Sequence, residues 1–304
     1  MRMVREDQNR IILAIAIVAV LAGIVAIGFS GTETEPQGAE AKVVASFYPL
    51  AYMIEQIGGD KVTVSSLIPL GSEVHSWQPS ISDIVSAENA DMIIYLGAGL
   101  DQWVEEDILE SIDAKTKTVV EASEGIQLLK GDPHLWVSPH TALMLAENIA
   151  EALIEADPDN EEYYTQRWTA FEQTLRNLDD EYSDSLSTAS GKSFFVTHSA
   201  YGYIADRYGL EQHGIIGISA DEQPSIEKIS EIVEEMTQEK SYVIYVDPVY
   251  SDAYAQTLKA ELETRTGESV QILELYLMVG PVEDMNYLDQ LDANLNNLVR
   301  GLVK

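Results

Sequence analysis

Three histidines, His75, His134 and His198, are spread well apart along the chain, each just after an apolar, strand-like run. His134 lies between two prolines in Asp132-Pro133-His134-Leu135-Trp136-Val137-Ser138-Pro139. Proline fixes its own φ and pushes the preceding residue toward extended conformations, so this imidazole sits on a stiff, non-helical segment. A pre-set side chain loses little freedom when it captures an ion. Neutral imidazole is a good ligand for zinc and also serves iron, copper and nickel. Three such rings plus an oxygen donor make a tetrahedral site, and with water as the fourth ligand the same set resembles a hydrolytic zinc centre. No H-x-x-x-H spacing is present, so the fold itself has to bring the rings together, at the ends of strands. The chain has no cysteine. Disulfides, thiolate metal sites, cysteine nucleophiles and an acylated N-terminal cysteine are therefore excluded.

The elements that would carry these rings are readable as an alternation. Val43 to Phe47 reads as a buried strand, Pro49 starts a helix up to Gly58-Gly59, and Val62 to Ile68 is a second strand leading into the loop with His75. Ile81 to Ala90 is a short amphipathic helix, and Met92 to Leu96 and Thr118 to Val120 are further strands. Gly97-Ala98-Gly99 resembles the start of a dinucleotide fingerprint but lacks its third glycine. Strands and helices alternating at these lengths predict a parallel sheet with helices on both faces.

From Thr141 the pattern is helical. Leu143, Ala146, Ile149, Ala150 and Leu153 keep one stripe up to Asp157-Pro158. A longer helix over 161–186 places Tyr164, Trp168, Phe171, Leu175, Leu178 and Tyr182 on one face, as core packing. At 1.5 Å per residue it is about 39 Å long, enough for a rigid strut between two domains. A second α/β series follows. Its strands are 193–197, with His198 at the end, 214–218, 242–246 and 270–273. Its helices are 200–208, 224–238, 253–266 and 288–302. His140, at a helix start, and His213, before a strand, read as surface or structural residues.

With 304 residues the chain has room for two domains. Its 51 acidic residues against 18 basic ones give a net charge of −33. That charge repels phosphates, argues against nucleic acid as a partner, and draws cations toward the surface. Residues 11–29 are apolar and uncharged, preceded by Arg2, Arg5 and Arg10. The arginines would hold the N-terminus in the cytoplasm and send the remainder outside. Ala26 and Gly28 also suit a cleavage site, but the length of the run favours an uncleaved anchor. Residues 31–41 read as a flexible tether.

Several longer motifs carry a resemblance. They are Ser46-Phe47-Tyr48-Pro49, Ile68-Pro69-Leu70-Gly71-Ser72-Glu73-Val74-His75 and Gly97-Ala98-Gly99-Leu100-Asp101-Gln102-Trp103. The Asp132–Pro139 segment, Phe195-Val196-Thr197-His198-Ser199-Ala200-Tyr201-Gly202-Tyr203 and Gln223-Pro224-Ser225 complete the set. Across residues 43–302 the chain resembles the zinc/manganese-type solute-binding proteins of ABC importers, the TroA-like cluster A-I family. The resemblance implies two α/β lobes, each with a mostly parallel sheet flanked by helices, joined by one long rigid helix, with a single metal ion between them. It implies that His75, His134 and His198 are the histidine ligands, and that the partners are an ABC permease and its ATPase. The expected organisation is an anchor or signal segment over 1–30, a tether over 31–41, an N-terminal lobe over 42–160, a connecting helix over 161–189 and a C-terminal lobe over 190–304. A monomer is expected, tethered to the outer face of the membrane.

The chain departs from the family pattern in places. Glu73-Val74 stands where the family usually has Asp-Pro before the first histidine. The family's fourth ligand is often an aspartate after the last strand, whereas this chain has Glu274-Leu275-Tyr276-Leu277-Met278-Val279-Gly280-Pro281. Glu274 could substitute, Asp247 could reach in from the neighbouring strand end, or water could complete the shell. The histidine-rich acidic loop of some zinc-specific relatives is missing before Asp132. Three imidazoles and one carboxylate favour Zn²⁺, with Mn²⁺ or Fe²⁺ as alternatives. Protons compete for these ligands, so binding is expected to weaken as pH falls through the histidine range near 6.5.

The favoured reading is therefore binding without chemistry. A tethered zinc hydrolase would need a general base near the metal-bound water, for which Glu222 and Asp247 are the candidates. A metal-containing adhesin is a third reading. A vitamin B12 or siderophore binder is disfavoured by three convergent histidines.

Overall fold

The computed structural model of the protein describes residues 41–218 and 224–303. The expected anchor over 11–29, most of the expected tether, and Glu222 lie outside the described residues. Among those described, no helix is long and apolar enough to cross a membrane.

The first lobe holds strands β1 (Ala41–Ala45), β2 (Val62–Ser66), β3 (Met92–Tyr95) and β4 (Thr118–Glu121), all parallel, in the order β2-β1-β3-β4. The second holds β5 (Ser193–His198), β6 (Glu211–Ile216), β7 (Val243–Val246) and β8 (Gln271–Glu274), again parallel, in the order β6-β5-β7-β8. Each sheet places its first strand second in order, so the two lobes repeat one winding.

The run Phe194-Phe195-Val196 shows why such strands read as continuously apolar. Phe194 and Val196 point into the large core that runs through most of the molecule. Phe195 points the other way, into a smaller cluster with Ile244, Val246, Ile232 and Leu258. Helices cover both faces, so the middle of the strand has no side open to water.

β6 begins three residues earlier than the apolar run Gly214–Ile218 predicts. Glu211, Gln212 and His213 pair with Ser193, Phe194 and Phe195 although all three are polar. The strand lies at the sheet's edge, where side chains reach water and polarity does not oppose pairing.

The helices start where the sequence signals them. Pro49 and Pro139 sit in the first turns of α1 (Tyr48–Gly58) and α3 (Pro139–Ala156). Between them, Ser80 forms a reciprocal capping box with Asp83 at the start of α2 (Ile81–Glu88). These residues satisfy amide groups that a helix cannot pair by itself, or lack the N–H altogether.

Helix α4 (Glu161–Leu186) lies between the two sheets in sequence. It buries Tyr164, Phe171, Leu175, Leu178, Tyr182 and Leu186 along one side. Trp168, expected on that stripe, is only partly buried. The side chains pack on α1 and α3 at one end and on the C-terminal helix at the other. Near its end, Asp179 accepts hydrogen bonds from Arg207 at 3.1 and 2.6 Å and from the Tyr208 hydroxyl at 2.9 Å. Both donors belong to α5 (Gly202–Tyr208) of the second lobe. The strut is thus pinned to that lobe by a charged, two-pronged contact as well as by apolar packing.

Three further helices complete the second lobe: α6 (Ile226–Glu239), α7 (Ala253–Thr266) and α8 (Tyr287–Leu302). The segment before α8 returns to the first lobe. Gly71 donates its N–H to Val279 O at 3.0 Å, and Trp136 Nε1 donates to Leu277 O at 2.7 Å.

Candidate metal centre

His75 lies on the loop after β2, His134 opens the short 3₁₀ turn Leu135–Val137 before α3, and His198 is the last residue of β5. Two rings come from the first lobe and one from the second. All three meet. The ring centroids are 5.0 Å apart for His75 and His134, 5.1 Å for His134 and His198, and 5.7 Å for His75 and His198. One ligand nitrogen from each lies within 4.8 Å of the others.

His134 and His198 each have a second contact that fixes which nitrogen is available. His134 is fully buried, and its Nδ1 lies 2.7 Å from Asp132 Oδ1. A carboxylate accepts, so Nδ1 carries the proton and Nε2 carries the lone pair. That Nε2 is 3.1 Å from His75 Nε2. Two nitrogens on a tetrahedral zinc, each about 2.0–2.1 Å from the ion, stand about 3.3 Å apart. The observed pair is already close to that separation. In His198, Nε2 donates to Ile218 O at 2.6 Å, which leaves Nδ1 as the lone-pair nitrogen. This Nδ1 is buried and has no hydrogen-bond partner. An orphaned acceptor in a buried site is costly unless a ligand meets it.

The loops are held by their own side chains. Asp132 Oδ1 also accepts the backbone N–H of His134 at 3.0 Å. Glu73 Oε1 accepts the backbone N–H of His75 at 2.7 Å. Val74, in the position where a proline was expected, is 1% exposed, so an apolar anchor fixes the loop that a proline ring would otherwise stiffen. The Trp136 ring lies 5.2 Å from His134, and the Tyr250 ring 5.4 Å from His198. Burial lowers the pKa of His134, with Asp132 opposing part of the shift. It lowers that of His198 too, where the bond to Ile218 opposes it. Neutral rings are the state that binds metal.

Neither expected carboxylate joins this group. Asp247 is buried, but its two oxygens accept the backbone N–H groups of Val249, at 2.7 Å, and Leu277. It staples the loop after β7 to the loop after β8, and burial pushes its pKa up to about 7. Glu274 is exposed at the end of β8, and its Oε2 accepts the Tyr276 hydroxyl. Both acids sit where the sequence puts them, at adjacent strand ends. Both are engaged by other partners.

The remaining histidines are elsewhere. His140 Nδ1 lies 3.6 Å from Asp179 Oδ2, and His213 Nδ1 lies 3.0 Å from Glu235 while its ring stacks on Phe195. The turn Gly97-Ala98-Gly99 is no phosphate cradle either. The amides of Leu96 and Gly97 are taken by the buried carboxylate of Asp101, at 2.7 and 2.8 Å. Sequence reasoning singled out the Asp132–Pro139 segment but not the role of Asp132. The Asp-Pro-His spacing was the available signal, since it lets one carboxylate reach both ends of the histidine.

The chain as a whole is similar to several known proteins. The family described as zinc-uptake complex component A, periplasmic, matches residues 43–301. The high-affinity zinc uptake system protein ZnuA of Bacillus subtilis (strain 168) is 31% identical over 301 residues, covering 92% of this chain and 94% of that protein. The zinc-binding lipoprotein AdcA of Streptococcus pneumoniae (strain ATCC BAA-255 / R6) is 31% identical over 275 residues, 84% of this chain. The chain spans about half of AdcA, 54% of its length. The solved structure of the laminin-binding protein Lmb of Streptococcus agalactiae, described as bifunctional with adhesin and metal transporting activity, superposes with a TM-score of 0.77. It is 30% identical and covers 86% of this chain and 99% of its own. The chain belongs to the periplasmic zinc-uptake component A family.

Proposed function

We propose that this protein is the extracytoplasmic solute-binding component of an ABC importer. It captures Zn²⁺ between its lobes with His75, His134 and His198 and delivers the ion to a membrane permease driven by an ATPase. One observation carries the reading: three imidazoles from distant parts of the chain, with their spare nitrogens converging, in a chain of the zinc-uptake family. A nitrogen-rich site suits zinc better than manganese, which prefers oxygen ligands.

In this reading the lobes over 42–160 and 190–304 act as jaws and the segment over 161–189 joins them. The apolar segment 11–29 tethers the protein to the outer face of the membrane, since no cysteine is available for an acyl anchor. A hydrolytic role has less support, because Asp247, one of the two candidate bases, already accepts two backbone amides. Adhesion is a second reading, favoured by the likeness to Lmb.

A cell that depends on this protein for zinc tests the proposal. Growth in chelator-treated medium should fail with His134→Ala and recover on adding zinc. Unimpaired growth of that variant in zinc-poor medium would contradict it.

A further inference from the structure

Zinc held by three neutral imidazoles keeps its full double charge in a site where His134 and His198 are 0% and 2% exposed. A buried charge of that size needs a compensating anion close by. Among the acids nearby, Asp132 is bonded to His134, Asp247 serves two amides and Glu274 is exposed and bonded to Tyr276. Glu73 differs from these. Its Oε1 is fixed by the His75 amide, while its Oε2 is buried and has no hydrogen-bond partner. Its charge is within electrostatic reach of the rings of both His134 and His198. No Glu73 oxygen belongs to the group of ligand atoms lying within 4.8 Å of one another. Glu73 is therefore placed beside the histidines without being one of the grouped ligands.

Building on the three-histidine reading, we propose that Glu73 is the charge-balancing positioning residue of the zinc site. Its Oε2 accepts a hydrogen bond from the water that fills the fourth position. The clip at Oε1 fixes the carboxylate beside His75, and the ion with its water relieves the cost of burying Oε2 unpaired.

The test compares wild type, Glu73→Gln and His75→Ala, using zinc titration against a competing chromophoric chelator and thermal unfolding of the metal-free proteins. Gln keeps the oxygen that accepts the His75 amide and replaces the buried anion with a neutral amide. Zinc affinity should fall about tenfold to a hundredfold, as is usual for a residue that orients a metal site from outside its ligand shell. The metal-free Tm should rise, because an unpaired buried carboxylate is gone. Unchanged affinity in Glu73→Gln, with loss in His75→Ala, overturns the role of Glu73 alone. Weaker binding together with a lower metal-free Tm would make Glu73 a structural clip and also overturn it. Full affinity in His75→Ala would overturn the underlying three-histidine reading.

Discussion

Asp132 Oδ1 accepts from His134 twice, from the backbone N–H at 3.0 Å and from ring Nδ1 at 2.7 Å. The first bond sets the turn on which the histidine sits. The second fixes the tautomer, turning Nε2 and its lone pair toward His75. One carboxylate thereby couples the local backbone of Asp132-Pro133-His134 to the chemistry of the ligand.

Asp132→Asn keeps the shape and removes the charge that makes the imidazole a stronger donor. Zinc affinity should fall about tenfold to a hundredfold. Equilibrium competition with a chelator measures this, and an unchanged constant would remove Asp132 from the site's support.

The pH response follows from burial. His134 and His198 have pKa values below the ordinary histidine value of about 6.5, chiefly because burial disfavours their charged forms. Protons therefore compete with zinc at those two rings only below the usual histidine range. The part of the pH response contributed by those two rings should therefore set in below the usual histidine range, which zinc titration at several pH values checks in wild type. For the metal-free protein, the unfolded chain takes up protons at these positions first as pH falls. The stability they contribute is full above about 6.5 and is lost below it, toward the depressed folded values. Urea unfolding at several pH values, read as the difference between wild type and His134→Gln, should show this slope. A difference that does not change with pH would contradict it.

Gly280 lies at a close contact between the two lobes. A Cβ there would lie 2.6 Å from the backbone nitrogen of Gly71, whose N–H bonds Val279 O across the contact. Gly71 lies four residues before His75. Gly280→Ala should cost about 1–3 kcal/mol of stability, typical of overpacking. It should also weaken zinc binding by shifting the His75 loop. Wild-type stability and affinity together would show that the contact yields freely.

Much of this molecule was legible in its sequence because parallel sheets covered on both faces leave a strong signal. Val43–Ala45, Met92–Tyr95 and Phe194–Val196 are apolar at every position, and a proline or a capping serine announces several of the helices. The edge strand β6 was placed late, because Glu211-Gln212-His213 carries no apolar pattern to read. His198 was identifiable because it ends such a strand, and His134 because prolines stand on both sides of it. The fate of the nearby acids was not. Whether Asp247 or Glu274 is available depends on which amides and hydroxyls the fold brings alongside them, and Leu277 N–H reaches Asp247 from thirty positions away. The spare oxygen of Glu73 is equally a product of the folded loop.

The central claim is that one zinc ion is held jointly by His75, His134 and His198. The most direct test is zinc stoichiometry and affinity of the full chain, purified without chelator, beside the three single alanine variants. The account predicts one tightly bound zinc per wild-type chain, and for each variant a loss of affinity larger than that of Asp132→Asn. Tight, stoichiometric zinc in any of the three alanine variants would contradict it.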